Sequence, residues 1–225
     1  EKTSHLVASH DLVFSLLPNY MHVQVANLCL MHKKHLVTTS YVSSGMKALD
    51  EKARERDLIF LNEMGLDPGI DHMSAMQLID RIHGGGGKVV KFASSCGGLP
   101  APEANNNPLQ YKFSWSPQGV LRASKNQARY LKEGKVVNIA GPRLFEYYWL
   151  IEIENLGEFA IYPNRDSLPY KDLYGIPEAT SMFRGTIRYP AWCECMKRLI
   201  ALGMLDQIEH NVAGMTYREY LRSFL

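Results

Sequence analysis

The chain has 225 residues, 46% of them apolar and 21% charged, and its 25 basic and 23 acidic side chains leave a formal net charge of +2. That length can bury a core, and the composition is that of an ordinary globular protein. It excludes the basic footprint of a nucleic-acid binder, and no apolar run approaches the roughly 20 residues of a membrane span.

Residues 11–17 (DLVFSLL) read as a buried strand closed by Pro18. Residues 22–32 have helical spacing, with Val25, Leu28 and Cys29 on one face. A second short strand follows at 36–39, a charged amphipathic helix at 44–56, and a third strand at 58–61. Strand, helix, strand, helix, strand predicts a parallel doubly wound sheet with right-handed crossovers. Ligands of such sheets bind outside the carboxyl ends of the strands. That draws attention to Pro18-Asn19-Tyr20, to Ser40-Tyr41, and to the run from Asn62 to Gly69.

Residues 71–83 are predicted helical with Asp71 as cap, and Gly84 to Gly87 end the helix. This glycine run lies after a helix and before a strand at 88–93, the wrong context for a phosphate loop. Residues 96–119 form a long loop rich in Gly, Pro and Asn, with Phe113 and Trp115 embedded, and long ordered loops are often functional. Strands are predicted at 136–140, 159–162 and 180–189, a turn at 163–167, and helices at 192–202 and 216–225. The change in architecture places a domain boundary near residue 70.

Three arginines stand out. Arg165 lies in the turn, and Arg184 and Arg188 are four apart in a strand and so share a face. Guanidinium groups grip carboxylates in a two-pronged geometry, so the set suits a substrate with several carboxylates; surface salt bridging is the plainer reading of the residues alone. Asp67 suits a substrate ammonium or a ribose hydroxyl, or closes a turn on its own backbone. Ser40 and Tyr41 carry the same ambiguity. Cys96, before Gly97-Gly98, is a close-contact residue or a buried thiol, and His72 a titrating group or a structural one. The four cysteines (Cys29, Cys96, Cys193, Cys195) lack the number and spacing of a disulfide framework or zinc site, which implies a reducing compartment. No metal-ligand spacing and no hydrolase triad is legible.

Four segments, in this order and spacing, resemble the glutamate-forming saccharopine dehydrogenase family. They are Glu63-Met64-Gly65-Leu66-Asp67-Pro68-Gly69-Ile70-Asp71-His72; Cys96-Gly97-Gly98-Leu99-Pro100-Ala101-Pro102-Glu103; Asn107-Pro108-Leu109 with Tyr111-Lys112-Phe113-Ser114-Trp115-Ser116; and Pro163-Asn164-Arg165-Asp166-Ser167 with Arg184-Gly185-Thr186-Ile187-Arg188-Tyr189. The resemblance implies a partial Rossmann-type NAD(P)-binding domain over residues 1–70, then an α+β saccharopine-binding and dimerisation domain over 71–225, incomplete at its C-terminus. It implies an oxidoreductase of lysine metabolism that interconverts saccharopine with L-glutamate and α-aminoadipic semialdehyde using NAD or NADP. The catalytic candidates it implies are Tyr41, Asp67 and Cys96. The substrate-binding ones are Ser40, Tyr41, Asp67, Arg165, Thr186, Ile187 and Arg188. The cofactor-binding ones are Leu17, Thr39, Ser40, Leu66, Asp67, Pro68 and Ser116.

A homodimer in the cytoplasm or mitochondrial matrix is expected, with possible fusion to a lysine-ketoglutarate reductase half. The family's glycine-rich pyrophosphate turn is not in this chain. The chain opens on Glu1 with no signal segment legible, so a piece of a longer protein is expected. An inactive piece that binds a ligand or only dimerises is the competing expectation. The sequence departs from the family at Ser95, where a tyrosine is usual, and at Ser43-Ser44-Gly45, where a Ser-Pro-Ala-like stretch is usual.

Overall fold

A computed structural model describes all 225 residues, which pack as two compact units, Glu1–Asp80 and Arg81–Leu225. The first holds α1 (Lys2–Ala8), β1 (Leu12–Ser15), α2 (His22–His32), β2 (His35–Thr38), α3 (Ser44–Lys47), α4 (Asp50–Arg54), β3 (Phe60–Leu61) and most of α5 (Ile70–Gly84). Its three strands lie parallel in the order β1-β2-β3, with Ser15 opposite Thr38 and Val37 opposite Leu61. The alternation read from the sequence is therefore a parallel sheet, and all three strands end on one edge.

Two local expectations need correction. Residues 11–17 do not form a strand buried on both faces: Phe14 is 65% exposed, while Val13 and Ser15 turn inward. The α2 residues Val25, Ala26, Cys29 and Leu30 pack with Leu36 and Val13 on one side of the sheet, so a mostly apolar run hides a half-covered edge strand. The helix expected over 44–56 divides into α3 and α4. Leu49 N bonds back three residues to Met46 O, a tighter turn that interrupts the ladder and lets Met46, Leu49 and Ala53 all enter the core.

The second unit holds β4 (Lys91–Cys96), α6 (Pro117–Ala123), β5 (Ala128–Lys132), β6 (Lys135–Ile139), β7 (Trp149–Ile153), β8 (Gly157–Pro163), α7 (Tyr170–Leu173), β9 (Ser181–Arg188), α8 (Pro190–Ala201) and α9 (Tyr217–Arg222). Six strands form one mixed sheet, in which β9 pairs in parallel with β4 and antiparallel with β8 and β5. Trp192, Cys193 and Met196 of α8 bury against Tyr162 of β8, Ala128 of β5, and Phe145. The strand expected at 88–93 starts later, so Cys96 ends β4 opposite Thr186 instead of opening the long loop. The division between units falls inside α5, whereas the composition changes near residue 70, at that helix's head, where the backbone runs on. No helix is long and apolar enough to cross a membrane.

Candidate functional site

The first unit builds one set of polar groups from the loops after its strands. β1 ends on Ser15 and β2 is followed by Ser40, and the buried ring of His22, the first residue of α2, joins them. Its Nδ1 lies 2.8 Å from Ser15 Oγ and its Nε2 2.8 Å from Ser40 Oγ. Burial lowers the His22 pKa below its ordinary value, so the ring stays neutral.

The loop after β3 folds back on itself. Gly65 N donates to Pro68 O, Ile70 N to Gly65 O, and Asp71 N to Leu66 O. Gly69 has φ 150°, and a Cβ there would stand 2.0 Å from Gly65 O, so only glycine closes this turn. The fold-back carries Asp67, joined to Pro68 by a cis peptide bond, to where Tyr41 Oη donates to its Oδ1 at 2.6 Å. Asp71 does not sit ahead of the helix as a cap. It lies inside the first turn of α5, and its Oδ1 accepts from Gly69 N at 2.7 Å. His72 stands between carboxylates, Nε2 3.5 Å from Glu63 Oε2 and Nδ1 3.6 Å from Asp71 Oδ2. Glu63 Oε1 in turn accepts from Val42 N, tying the loop after β3 to the loop after β2. Among the residues matched to cofactor contacts, Leu17, Thr39 and Leu66 are exposed at the strand tips, Asp67 is half-buried, and Pro68 is buried.

The second unit builds its set around the end of β9. Cys96 pairs with Thr186, and the chain then turns at Gly97. A Cβ on Gly97 would meet Ile187 O at 2.1 Å and Arg188 Nη1 at 2.8 Å, so glycine is what lets the guanidinium lie against this turn. Arg188 is only 7% exposed. Its Nη1 donates to Ile187 O, its Cζ lies 4.8 Å from the Tyr111 ring centre, and its Nε is buried with no hydrogen-bond partner. No carboxylate pairs with it. Nor do its ionisable neighbours compensate the charge: burial raises the Tyr162 phenol and pushes the Cys193 thiol up to about 12, so both remain protonated.

Surface salt bridging therefore does not describe Arg184 or Arg188, since both are buried. They do not form one clamp either, because four residues along a strand separate them by roughly 13 Å. Arg184 lies 4.2 Å over the Tyr170 ring, and its backbone N donates to Ser167 Oγ. Arg165 is exposed in the left-handed region at φ 54° and lines a shallow pocket with Asn126, Gln127, Arg129 and Asp166. Its turn is tied to β5, with Arg129 N donating to Arg165 O and Ser167 N to Arg129 O. Ser116 caps α6, where its Oγ accepts from Gly119 N at 3.1 Å.

Sequence reasoning missed His22 and Tyr111. His22 reads as an ordinary helix residue, and only its distance past a strand end hints otherwise. Tyr111 lies inside the family-like segment that runs from Asn107 to Ser116, and Asn107 is the signal that it is held: Nδ2 donates to Tyr111 O and Oδ1 accepts from Leu109 N.

Two family models match the chain, the saccharopine dehydrogenase NADP binding domain over residues 1–61 and the saccharopine dehydrogenase C-terminal domain over residues 65–222. A saccharopine dehydrogenase [NADP(+), L-glutamate-forming] of Pyricularia oryzae is 50% identical over 203 residues, 90% of this chain and 45% of the relative. An alpha-aminoadipic semialdehyde synthase of Arabidopsis thaliana is 48% identical over 209 residues, 92% of this chain and 20% of the relative. The apo structure of a saccharopine dehydrogenase (L-Glu forming) from Saccharomyces cerevisiae superimposes with TM-score 0.88 at 41% identity, covering 99% of this chain and 50% of that one. The chain thus spans half or less of each of these proteins.

Proposed function

The chain belongs to the saccharopine dehydrogenase family, and from that membership we propose that the intact protein is an NADP-dependent oxidoreductase of lysine metabolism. It interconverts saccharopine with L-glutamate and α-aminoadipic semialdehyde. The observation that carries this reading is Arg188, a buried guanidinium with an orphaned Nε and no carboxylate partner. A buried cation without a counter-charge is costly unless a ligand supplies one. Saccharopine brings three carboxylates.

The polar groups fit the chemistry. In the oxidative direction a hydride leaves the carbon beside the secondary amine, and the nitrogen lone pair closes the C=N bond. The nitrogen must first give up its ammonium proton. The Tyr41 and Asp67 pair, hydrogen-bonded at 2.6 Å, offers a carboxylate to hold that ammonium and a hydroxyl to pass its proton. Cys96, opposite Thr186, is the other candidate for proton transfer. Water then adds to the imine carbon and releases glutamate and the semialdehyde. Thr186, Ile187 and Arg188 hold substrate, with Arg165 as a second cationic contact, while Ser40 orients what reaches the strand ends.

NADP, when bound, accepts the hydride. The exposed apolar side chains of Leu17 and Leu66 beside Thr39 at the strand tips suit the flat face of its nicotinamide, with Ser40, Asp67 and Pro68 completing the contact. The resemblance further supports a homodimer residing in the cytoplasm or the mitochondrial matrix, free-standing or fused to a reductase half. The test is saccharopine-dependent reduction of NADP(+) by the intact protein, followed by the absorbance of the reduced nicotinamide. No reduction at millimolar saccharopine overturns the assignment.

A further inference from the structure

We propose that Tyr111 is a substrate-binding residue whose hydroxyl, with the Nε–H of Arg188, receives one substrate carboxylate. The inference rests on the function proposed above and adds a residue to it. Tyr111 is 3% exposed, and its Oη is buried with no hydrogen-bond partner. Its ring carries the Arg188 guanidinium at 4.8 Å, and Arg188 Nε is the neighbouring orphan. Unsatisfied polar atoms on side chains that pack against each other, here Tyr111 Oη, Arg188 Nε and the Trp192 Nε1 beside them, call for a partner, since native interiors satisfy nearly all such groups. Tyr111 Oη and Arg188 Nε can both donate, one is a cation, and nearby Tyr162 and Cys193 stay protonated, so the missing partner is an anionic oxygen. A carboxylate, with two oxygens, can meet both at once.

The loop holds Tyr111 for this purpose at several points. Asn107 grips its backbone, with Nδ2 donating to Tyr111 O at 2.9 Å. Ala191 N at the start of α8 donates to Gln110 Oε1 at 3.0 Å, and Cys195 Sγ donates to Pro108 O at 3.3 Å. Edge-on packing with Phe113 and a tilted contact with Trp192 fix the ring itself. Phenylalanine would satisfy every one of those ring and backbone contacts. Only the hydroxyl calls for tyrosine, and no side chain or backbone group of the chain gives that hydroxyl a partner.

The experiment compares Tyr111→Phe with the wild-type intact dehydrogenase, with Arg188→Met as reference. Saccharopine affinity is measured by calorimetry, turnover by NADP(+) reduction, and stability by thermal melting. Tyr111→Phe is expected to raise both Kd and KM for saccharopine roughly tenfold, the loss of one hydrogen bond to a charged group. The KM for NADP(+) stays unchanged, and the melting temperature stays at or above that of the wild type, because an unsatisfied hydroxyl has been removed. A variant that binds saccharopine as the wild type does, while Arg188→Met does not, overturns the inference and leaves the proposed function standing. A lowered melting temperature with unchanged affinity also overturns it, since the hydroxyl then has an internal partner such as a buried water. A wild-type protein that neither binds nor oxidises saccharopine overturns the proposed function and the inference with it.

Discussion

Tyr41 and Asp67 meet at 2.6 Å although 26 residues separate them, because one follows β2 and the other rides the folded-back loop after β3. If this pair holds the amine and relays its proton, Asp67→Asn should lower kcat/KM for saccharopine by about 10²-fold or more in the intact enzyme. Tyr41→Phe should cost less, because the carboxylate remains. Steady-state kinetics across pH decide it: equal kcat/KM for Asp67→Asn and wild type removes the pair from the chemistry.

Arg188 predicts opposite effects on binding and folding. Arg188→Met replaces a buried, uncompensated cation by an apolar chain of similar reach, which is often neutral or stabilising in protein interiors. The variant should melt within a few degrees of the wild type, or above it, while its KM for saccharopine rises roughly 10²-fold. A variant that melts far lower with unchanged KM would mark Arg188 as structural.

Adjacent glycines should behave differently. Gly97→Ala drives a methyl to 2.1 Å from Ile187 O and into the Arg188 guanidinium, and should destabilise by about 1–3 kcal/mol while weakening saccharopine binding. Gly98→Ala meets nothing closer than Ser114 Oγ at 3.9 Å and should be nearly neutral in both. Parallel melting curves and KM values check the pair.

Glu178 sets a pH dependence in the second unit. Its carboxylate accepts from Val89 N at 2.9 Å and lies 2.8 Å from His83 Nε2, which together hold its pKa down at about 2 against a free value of 4.5, the backbone bond contributing most. A depressed folded pKa adds stability that is present above 4.5 and is lost as pH falls toward about 2. Glu178→Gln should therefore melt below the wild type at neutral pH, with the gap closing through that acid window. A gap that stays constant from pH 7 to pH 2 would separate Glu178 from the acid limb.

The parallel sheet was legible because helix and strand periods alternate cleanly, and α2 falls on the predicted residues because Val25 and Cys29 keep helical spacing on a buried face. The α3–α4 break was not legible, since one three-residue hydrogen bond leaves no mark in a charged amphipathic stretch. In the site, Asp67 and Arg188 could be singled out as charged residues at a loop and a strand end. What could not be read was their surroundings. Whether Arg188 is solvated or buried depends on Tyr111 and Gly97, which are brought to it from about 80 and 90 residues away by pairing that no local pattern encodes. His22 was passed over for a similar reason: its two serine partners come from different places, Ser15 from the end of β1 and Ser40 from the loop after β2.

The Ser15–His22–Ser40 bridge couples two strand ends through one ring. A neutral imidazole carries a single proton, so one serine must give to the ring while the other takes from it. The three groups consequently share one polarity, and a visitor that takes the Ser40 hydrogen obliges Ser40 to accept from the ring and Ser15, on the neighbouring strand, to donate to it. Occupancy at the second strand's tip is thereby written into the tautomer of a ring that the visitor never touches, where the nitrogen chemical shifts of His22 can read it.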